Sequence, residues 1–293
     1  MLQYQSIAEL CAAAQASGTQ ISHVVLNDQA DQMEESSQVL YNRMADRLNV
    51  MREAAAAGLA PDLRSTSGLS GGDAAQMEAY SAGGGIIGSF LNHALACAMA
   101  VAEYNAAMGK IVAAPTAGSC GIIPGVLLPA LEAHLVSERA VIMSLFTAGA
   151  VGMVIANRAA IAGAQGGCQA ECGSAAAMAA TALAELFGGS PEQAAHACAM
   201  AIKNQLGLVC DPVAGLVEVP CIKRNAAGVM IAFSSAEMAL AGVTSRIPAD
   251  ECIAAMREVG DALPCSLRET AQGGLAATPT GLRIKQQIFG PEA

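Results

Sequence analysis

The chain has 293 residues, enough for one large domain or two small ones and for a substantial core without covalent staples. Its 54% hydrophobic content against 3% aromatic, with no Trp, 30 Gly and long Ala runs, favours closely packed helices over sheets. The net charge is −10, and the 15 Lys and Arg are scattered rather than gathered into a stripe, so the electrostatic footprint of a nucleic-acid binder is missing.

The opening MLQYQSIAELCAAAQ carries Glu9 where a signal peptide is apolar. A cytoplasmic chain is expected, with its ten cysteines as reduced thiols or metal ligands rather than disulfides. Ser6-Ile-Ala-Glu9 reads as a capping box and Gly18 as a helix stop. Residues 23 to 57, rich in Asp, Glu, Arg and Met, carry apolar positions consistent with one or two amphipathic helices before Gly58. Residues 1–57 are therefore expected to form an outer helical layer over a core of residues 58–293.

From Ser65 the texture changes. Apolar helical stretches are interrupted by short Gly, Pro and Ser motifs: STSGLSGGD, AGGG, APTAGSCG, AQGGCQAECG and CDPVAGLVEVPC. Three uncharged runs follow one another. Ala79 to Ala102 holds three consecutive glycines, Asn92 and His93, and Ile111 to Leu131 holds Pro115, Pro124 and Pro129, so both make poor membrane spans. Ala140 to Asn157 approaches the length of a span. Helices apolar all round also fill the centre of large proteins, so the reading is a buried core and no membrane.

Ser190-Pro191-Glu192-Gln193 supplies an N-cap, a proline at N1 and a box partner at N3, predicting a helix through His196 to Gln205 that ends near Gly207. Cys210 then falls just past a helix end. Another helix is expected over Asp250 to Leu263, weakened by Gly260. No fixed-period repeat or low-complexity linker divides the chain. The expectation is a single compact all-α domain over residues 1–293, with Gly/Pro-rich loops forming an internal site.

Cysteine behaves as a small hydrophobe, and Cys11, Cys97, Cys198, Cys252 and Cys265 in ordinary helix-like surroundings are assigned to packing. Cys120, Cys168, Cys172, Cys210 and Cys221 differ because each lies in or beside a Gly/Pro-rich loop, where backbone amides can approach an anionic sulfur. Cys168 and Cys172, four residues apart, share a face if helical. The spacing matches neither the paired CxxC of zinc ribbons nor the CxxCxxC run of ferredoxins, so spacing alone leaves both a metal centre and plain core thiols open.

Four long strings carry a resemblance: GLSGGDAAQM at 68–77, GKIVAAPTAGSCGIIPGVL at 109–127, AQGGCQAECGSAAAMAA at 164–180 and NQLGLVCDPVAGLVEVPCIKRNAAG at 204–228. Together they resemble the catalytic alpha chain, or alpha domain, of the iron-sulfur-dependent L-serine dehydratases, over most of the chain. The resemblance implies elimination of water from L-serine to give pyruvate and ammonia. It also implies a [4Fe-4S] cluster held by Cys168, Cys210 and Cys221, with one iron free of protein ligands as a Lewis acid. Cys120 and Cys172 become neighbours, Cys172 being the rival ligand. A fourth thiolate would instead describe an electron carrier or redox sensor, and a thiol leaving group would describe a related L-cysteine desulfidase. A pyridoxal-phosphate enzyme needs a Schiff-base lysine, and no recognisable phosphate loop surrounds Lys110, Lys203, Lys223 or Lys285.

For the substrate carboxylate, the loop Ser65 to Asp73 offers hydroxyls, close-approach glycines and a helix N-terminus, singling out Ser67, Gly68, Ser70, Gly71, Gly72 and Asp73. Thr116, Gly118 and Ser119 of the APTAGS loop are treated likewise, and Asn204, Arg224 and Asn225 flank the ligands, placed to orient substrate or bond to cluster sulfur. Lys110 is a candidate base if burial strips its proton, whereas His93 reads as a satisfied core histidine. Members of the family also carry a beta part, fused or separate, which this sequence lacks; an alpha subunit working with a beta partner in an oligomer is expected. Single-chain relatives can end in a cysteine that reaches the site, and the ending GLRIKQQIFGPEA predicts no self-inhibition of that kind.

Overall fold

The computed structural model describes residues 4–290. Thirteen α-helices follow in order: α1 (Ile7–Ser17), α2 (Ile21–Met33), α3 (Ser37–Gly58), α4 (Asp73–Ser81), α5 (Gly88–Ala106), α6 (Ile122–Glu132), α7 (Glu138–Arg158), the single turn α8 (Gly163–Gly166), α9 (Ser174–Leu186), α10 (Pro191–Lys203), α11 (Cys221–Leu240), α12 (Ala249–Ala262) and α13 (Pro279–Phe289). No strand occurs among the described residues, so the all-α expectation is met.

Alanine placement explains the architecture. Helix α9, SAAAMAATALAEL, is buried from Ser174 through Glu185. A helix of such small side chains has no polar face to turn to water, and it lets its neighbours come close. Helices α7, α10, α11 and α6 pack around it. Helix α5 packs on α6 and α11 and meets α3 and α4, while α1 and α2 close over α10 and α7. The run Ala140 to Asn157 lies in α7, the one described helix long and apolar enough to cross a membrane by length and composition. Of its most apolar stretch, 72% is buried against the rest of the protein, which accounts for its apolarity.

The helix ends follow the local chemistry. Ser6 Oγ accepts from the Glu9 amide at 3.0 Å, but the Glu9 carboxylate reaches the Gln5 amide rather than that of Ser6. Gly18 closes α1 at φ 64°. The Ser190/Gln193 box is complete, with both reciprocal bonds present and Pro191 leading α10. The segment 23–57 becomes two helices separated after Met33.

Gly260 departs from expectation. It does not merely weaken α12: a Cβ there would lie 2.9 Å from Gly166 Cα and 3.2 Å from Gln169 Nε2. The missing side chain lets α12 press against α8, the turn just ahead of Cys168. We predict that Gly260→Ala lowers stability by about 1–3 kcal/mol through overpacking, read as a lower urea midpoint at unchanged slope.

Candidate active site

Three separate segments bring cysteines together. Cys168 follows α8 and opens a wide π-type turn, Gln169–Gly173, that runs straight into α9. Cys221 is the first residue of α11. Cys210 sits past the end of α10 and is pinned by its own backbone, its N–H donating to Leu267 O at 2.9 Å and its carbonyl accepting from the Glu269 amide at 2.8 Å. All three are buried. Two of them stand at helix starts, where the dipole favours an anionic sulfur.

The sulfurs are close enough to feel one another. Burial first, then the charges of Glu171 and Cys168, pushes the Cys210 thiol far up. Burial, Cys168 and Glu171 push Cys221 up to about 12. Cys168 goes the other way, because the Cys172 thiol donates to it and the Arg224 guanidinium adds its charge. Arg224 is aimed by the Val209 carbonyl at 2.8 Å and by an ion pair with buried Asp211 at 2.9 Å. Cys120 stands apart: its Sγ lies 3.9 Å from the Val101 carbonyl on α5, and burial raises it to about 12.

This donor set fits a soft metal centre. Three buried thiols cannot all ionise beside one guanidinium, and a cationic centre relieves that repulsion. A Cβ on Gly163 would come within 2.8 Å of both Cys210 Sγ and Glu171 Oε2, so glycine keeps that wall clear.

Glu171 is a residue that sequence reasoning passed over. Its carboxylate accepts from Thr116 Oγ1 at 2.8 Å and stands 3.9 Å from Cys210 Sγ, and burial raises it above the carboxylate range. The one signal was its position inside CQAEC. Thr116 and Gly118 face this carboxylate, and Ser119 is buried behind Thr116. Asn225, with no exposed surface, clips this loop to the third cysteine: its Oδ1 accepts from the Gly121 amide at 2.8 Å, and its Nδ2 donates to the carbonyls of Gly118 at 2.8 Å and Cys221 at 2.9 Å.

The Ser65–Asp73 loop is already furnished with acceptors. Ser67 Oγ donates to Glu218 Oε1 at 2.7 Å and Ser70 Oγ to the other carboxylate oxygen. The amides of Gly72, Asp73 and Ala74, which open α4, donate to buried Glu103 at 2.9, 3.1 and 3.3 Å. An internal carboxylate thus fills that helix N-terminus, with Gly68 and Gly71 at positive φ shaping the turn. Asp73 pairs with Lys223 on α11. Glu218, three residues ahead of Cys221, joins the loop to the cysteine segment. Lys110 is exposed, so the burial on which its candidacy as a base rested is not there. Asn204 is exposed at the end of α10.

The serine dehydratase alpha chain family matches over residues 16–276. The chain belongs to that family. It is 49% identical over 288 residues to the probable L-serine dehydratase alpha chain of Bacillus subtilis, covering 98% of this chain and 96% of that one. It is 44% identical over 273 residues to the L-serine dehydratase alpha chain of Peptoniphilus asaccharolyticus, covering 93% and 94%. Against L-serine dehydratase 1 of Escherichia coli it is 47% identical over 183 residues, 61% of this chain and 40% of that longer protein.

Asn225→Ala is predicted to cost about 1–3 kcal/mol, because it orphans the buried Gly121 amide and removes the side-chain donor to the Gly118 carbonyl. Chemical denaturation measures the loss, and faster hydrogen exchange at Gly121 locates it.

Proposed function

We propose that this chain is the catalytic alpha subunit of an iron-sulfur L-serine dehydratase, which eliminates water from L-serine to give pyruvate and ammonia. The observation that carries the reading is that Cys168, Cys210 and Cys221 are all buried, with Cys168 near enough to raise the other two thiols, in a chain of the serine dehydratase alpha family. When bound, a [4Fe-4S] cluster on these three sulfurs supplies a Lewis acid at an iron without a protein ligand, stabilising the departing hydroxide.

The chain's own groups prepare that site. Cys172 donates to the Cys168 sulfur, and Arg224 brings positive charge to it, so both favour the thiolate. Gly163 leaves room beside Cys210. The Thr116, Gly118 and Ser119 loop, fixed by Asn225 next to Cys221, is the part we assign to substrate contact. The Ser67, Gly68, Ser70, Gly71, Gly72 and Asp73 loop forms an adjoining wall through Glu218; its two hydroxyls reach a substrate only by leaving that carboxylate. Asn204 and Lys110, both exposed, reach the reaction only where a partner covers them. A beta subunit is the partner proposed to complete the pocket in an oligomer, and a reducing cytoplasm suits ten unpaired cysteines.

The test is anaerobic purification with the beta partner, followed by iron and sulfide analysis and pyruvate release from L-serine and L-cysteine. Cys168→Ala, Cys210→Ala and Cys221→Ala are each expected to lose cluster iron and more than about 100-fold of activity, since Lewis-acid stabilisation is worth several kcal/mol. Full activity in all three variants would overturn the reading, and faster turnover of L-cysteine would reassign the leaving group to a thiol.

A further inference from the structure

A second group of ligand-type side chains lies on α4, α5 and α6, apart from the cysteines above. His93 and Cys97 are four residues apart on α5 and so share one face. Glu132 ends α6 and Glu78 lies in α4. His93 Nε2 stands 3.5 Å from Cys97 Sγ and 2.7 Å from Glu132 Oε2, and one ligand atom from each of the three lies within 4.8 Å of the others. On the far side of the ring, His93 Nδ1 meets Glu78 Oε2 at 2.6 Å.

We propose that His93 Nε2, Cys97 Sγ and Glu132 Oε2 form a mononuclear site for a borderline divalent metal of the Zn²⁺ class, with Glu78 orienting the imidazole. The geometry is that of a site before loading. With Zn–S near 2.3 Å and Zn–N near 2.05 Å, a tetrahedral edge between sulfur and nitrogen is about 3.6 Å, against the 3.5 Å present. Glu132 must back away by about 0.7 Å to reach the corresponding nitrogen–oxygen edge, and its side chain, 50% exposed at a helix end, is free to do so. Cys97 is buried while the His93 side chain is 24% exposed, which leaves a path for the ion and a fourth position for water. A carboxylate on the remote ring nitrogen is how ligating histidines are usually held. A histidine–carboxylate bridge alone gives no reason for a thiol to face Nε2.

Sulfur, nitrogen and carboxylate together select Zn²⁺ or Co²⁺ over Mg²⁺ or Ca²⁺. Loading requires neutral imidazole at His93 and thiolate at Cys97, so it releases protons and weakens as the pH falls. It also ties α6 to α5 through direct ligands, and α4 through Glu78.

Cobalt(II) titration of the full-length chain tests this. In a chain carrying Cys168→Ala, Cys210→Ala and Cys221→Ala, one equivalent is expected to bind with a thiolate-to-cobalt band and tetrahedral visible bands. His93→Gln or Cys97→Ala should remove that equivalent, and Glu78→Gln should weaken it about 10–100-fold without changing the stoichiometry. If the triple variant does not fold, the same loss of one equivalent is read by adding His93→Gln or Cys97→Ala to the wild-type chain. No bound cobalt outside the three cysteines, or a spectrum indifferent to His93 and Cys97, overturns the site and leaves His93 as a bridge between two carboxylates. Because the active-site thiols are absent or held constant, failure here leaves the serine dehydratase reading standing, and the reverse.

Discussion

The burial of three thiols on separate segments is the constraint on which the rest of this structure turns. Cys168, Cys210 and Cys221 are withdrawn from water, and ionising them together is costly: burial and neighbouring charge hold Cys210 and Cys221 as thiols, whereas Cys172 and Arg224 draw Cys168 toward the thiolate. Helix starts, a donating thiol at Cys172 and the Arg224 guanidinium reduce that cost without cancelling it. The remaining deficit of positive charge is what the proposed cationic centre would relieve. Much of the surrounding structure keeps these three positions from drifting apart: the packing of α12 on α8, the hydrogen bonds of Asn225, and the backbone pairing of Cys210 with the 267–269 segment.

Buried carboxylates serve a different purpose in the loops. Glu103 satisfies three amides at the start of α4, and Glu218 takes two serine hydroxyls. Each acts as a permanent internal ligand for groups that would otherwise need water. A Gly- and Ser-rich stretch can then stay ordered against helical walls. The same arrangement shows why a donor-rich loop is an ambiguous sign of a ligand: the protein can supply the anion itself.

Composition and patterning made the helical architecture legible, because alanine-rich, Trp-free stretches leave few alternatives to close helix packing. The Ser190/Gln193 capping box was legible too, since its hydrogen bonds span three residues; at Ser6 the side-chain cap formed as read, while Glu9 turned to the Gln5 amide instead. Long-range partners were not. Nothing local says that Glu218 bonds Ser67, that Asn225 reaches Gly118, or that Gly260 sits against Gly166, since each contact depends on how distant segments cross. Gly260 read as a defect by propensity and proved to be a contact surface. The cysteine set was open by spacing and became specific only through the long strings it shares with a family. His93 and Cys97 were assigned to the core because their carboxylate neighbours lie 15 and 39 residues from His93.

The alanine content of α9 has a consequence for how the molecule tolerates change. Alanine has no rotamers to lose, so ordering this central rod costs little side-chain entropy, and the interior settles into one arrangement with little internal play. The same economy removes slack. Away from the cavity beside Met178, a larger residue on α9 meets helices already in close contact, so variation is expected to concentrate on the periphery while the rod stays small.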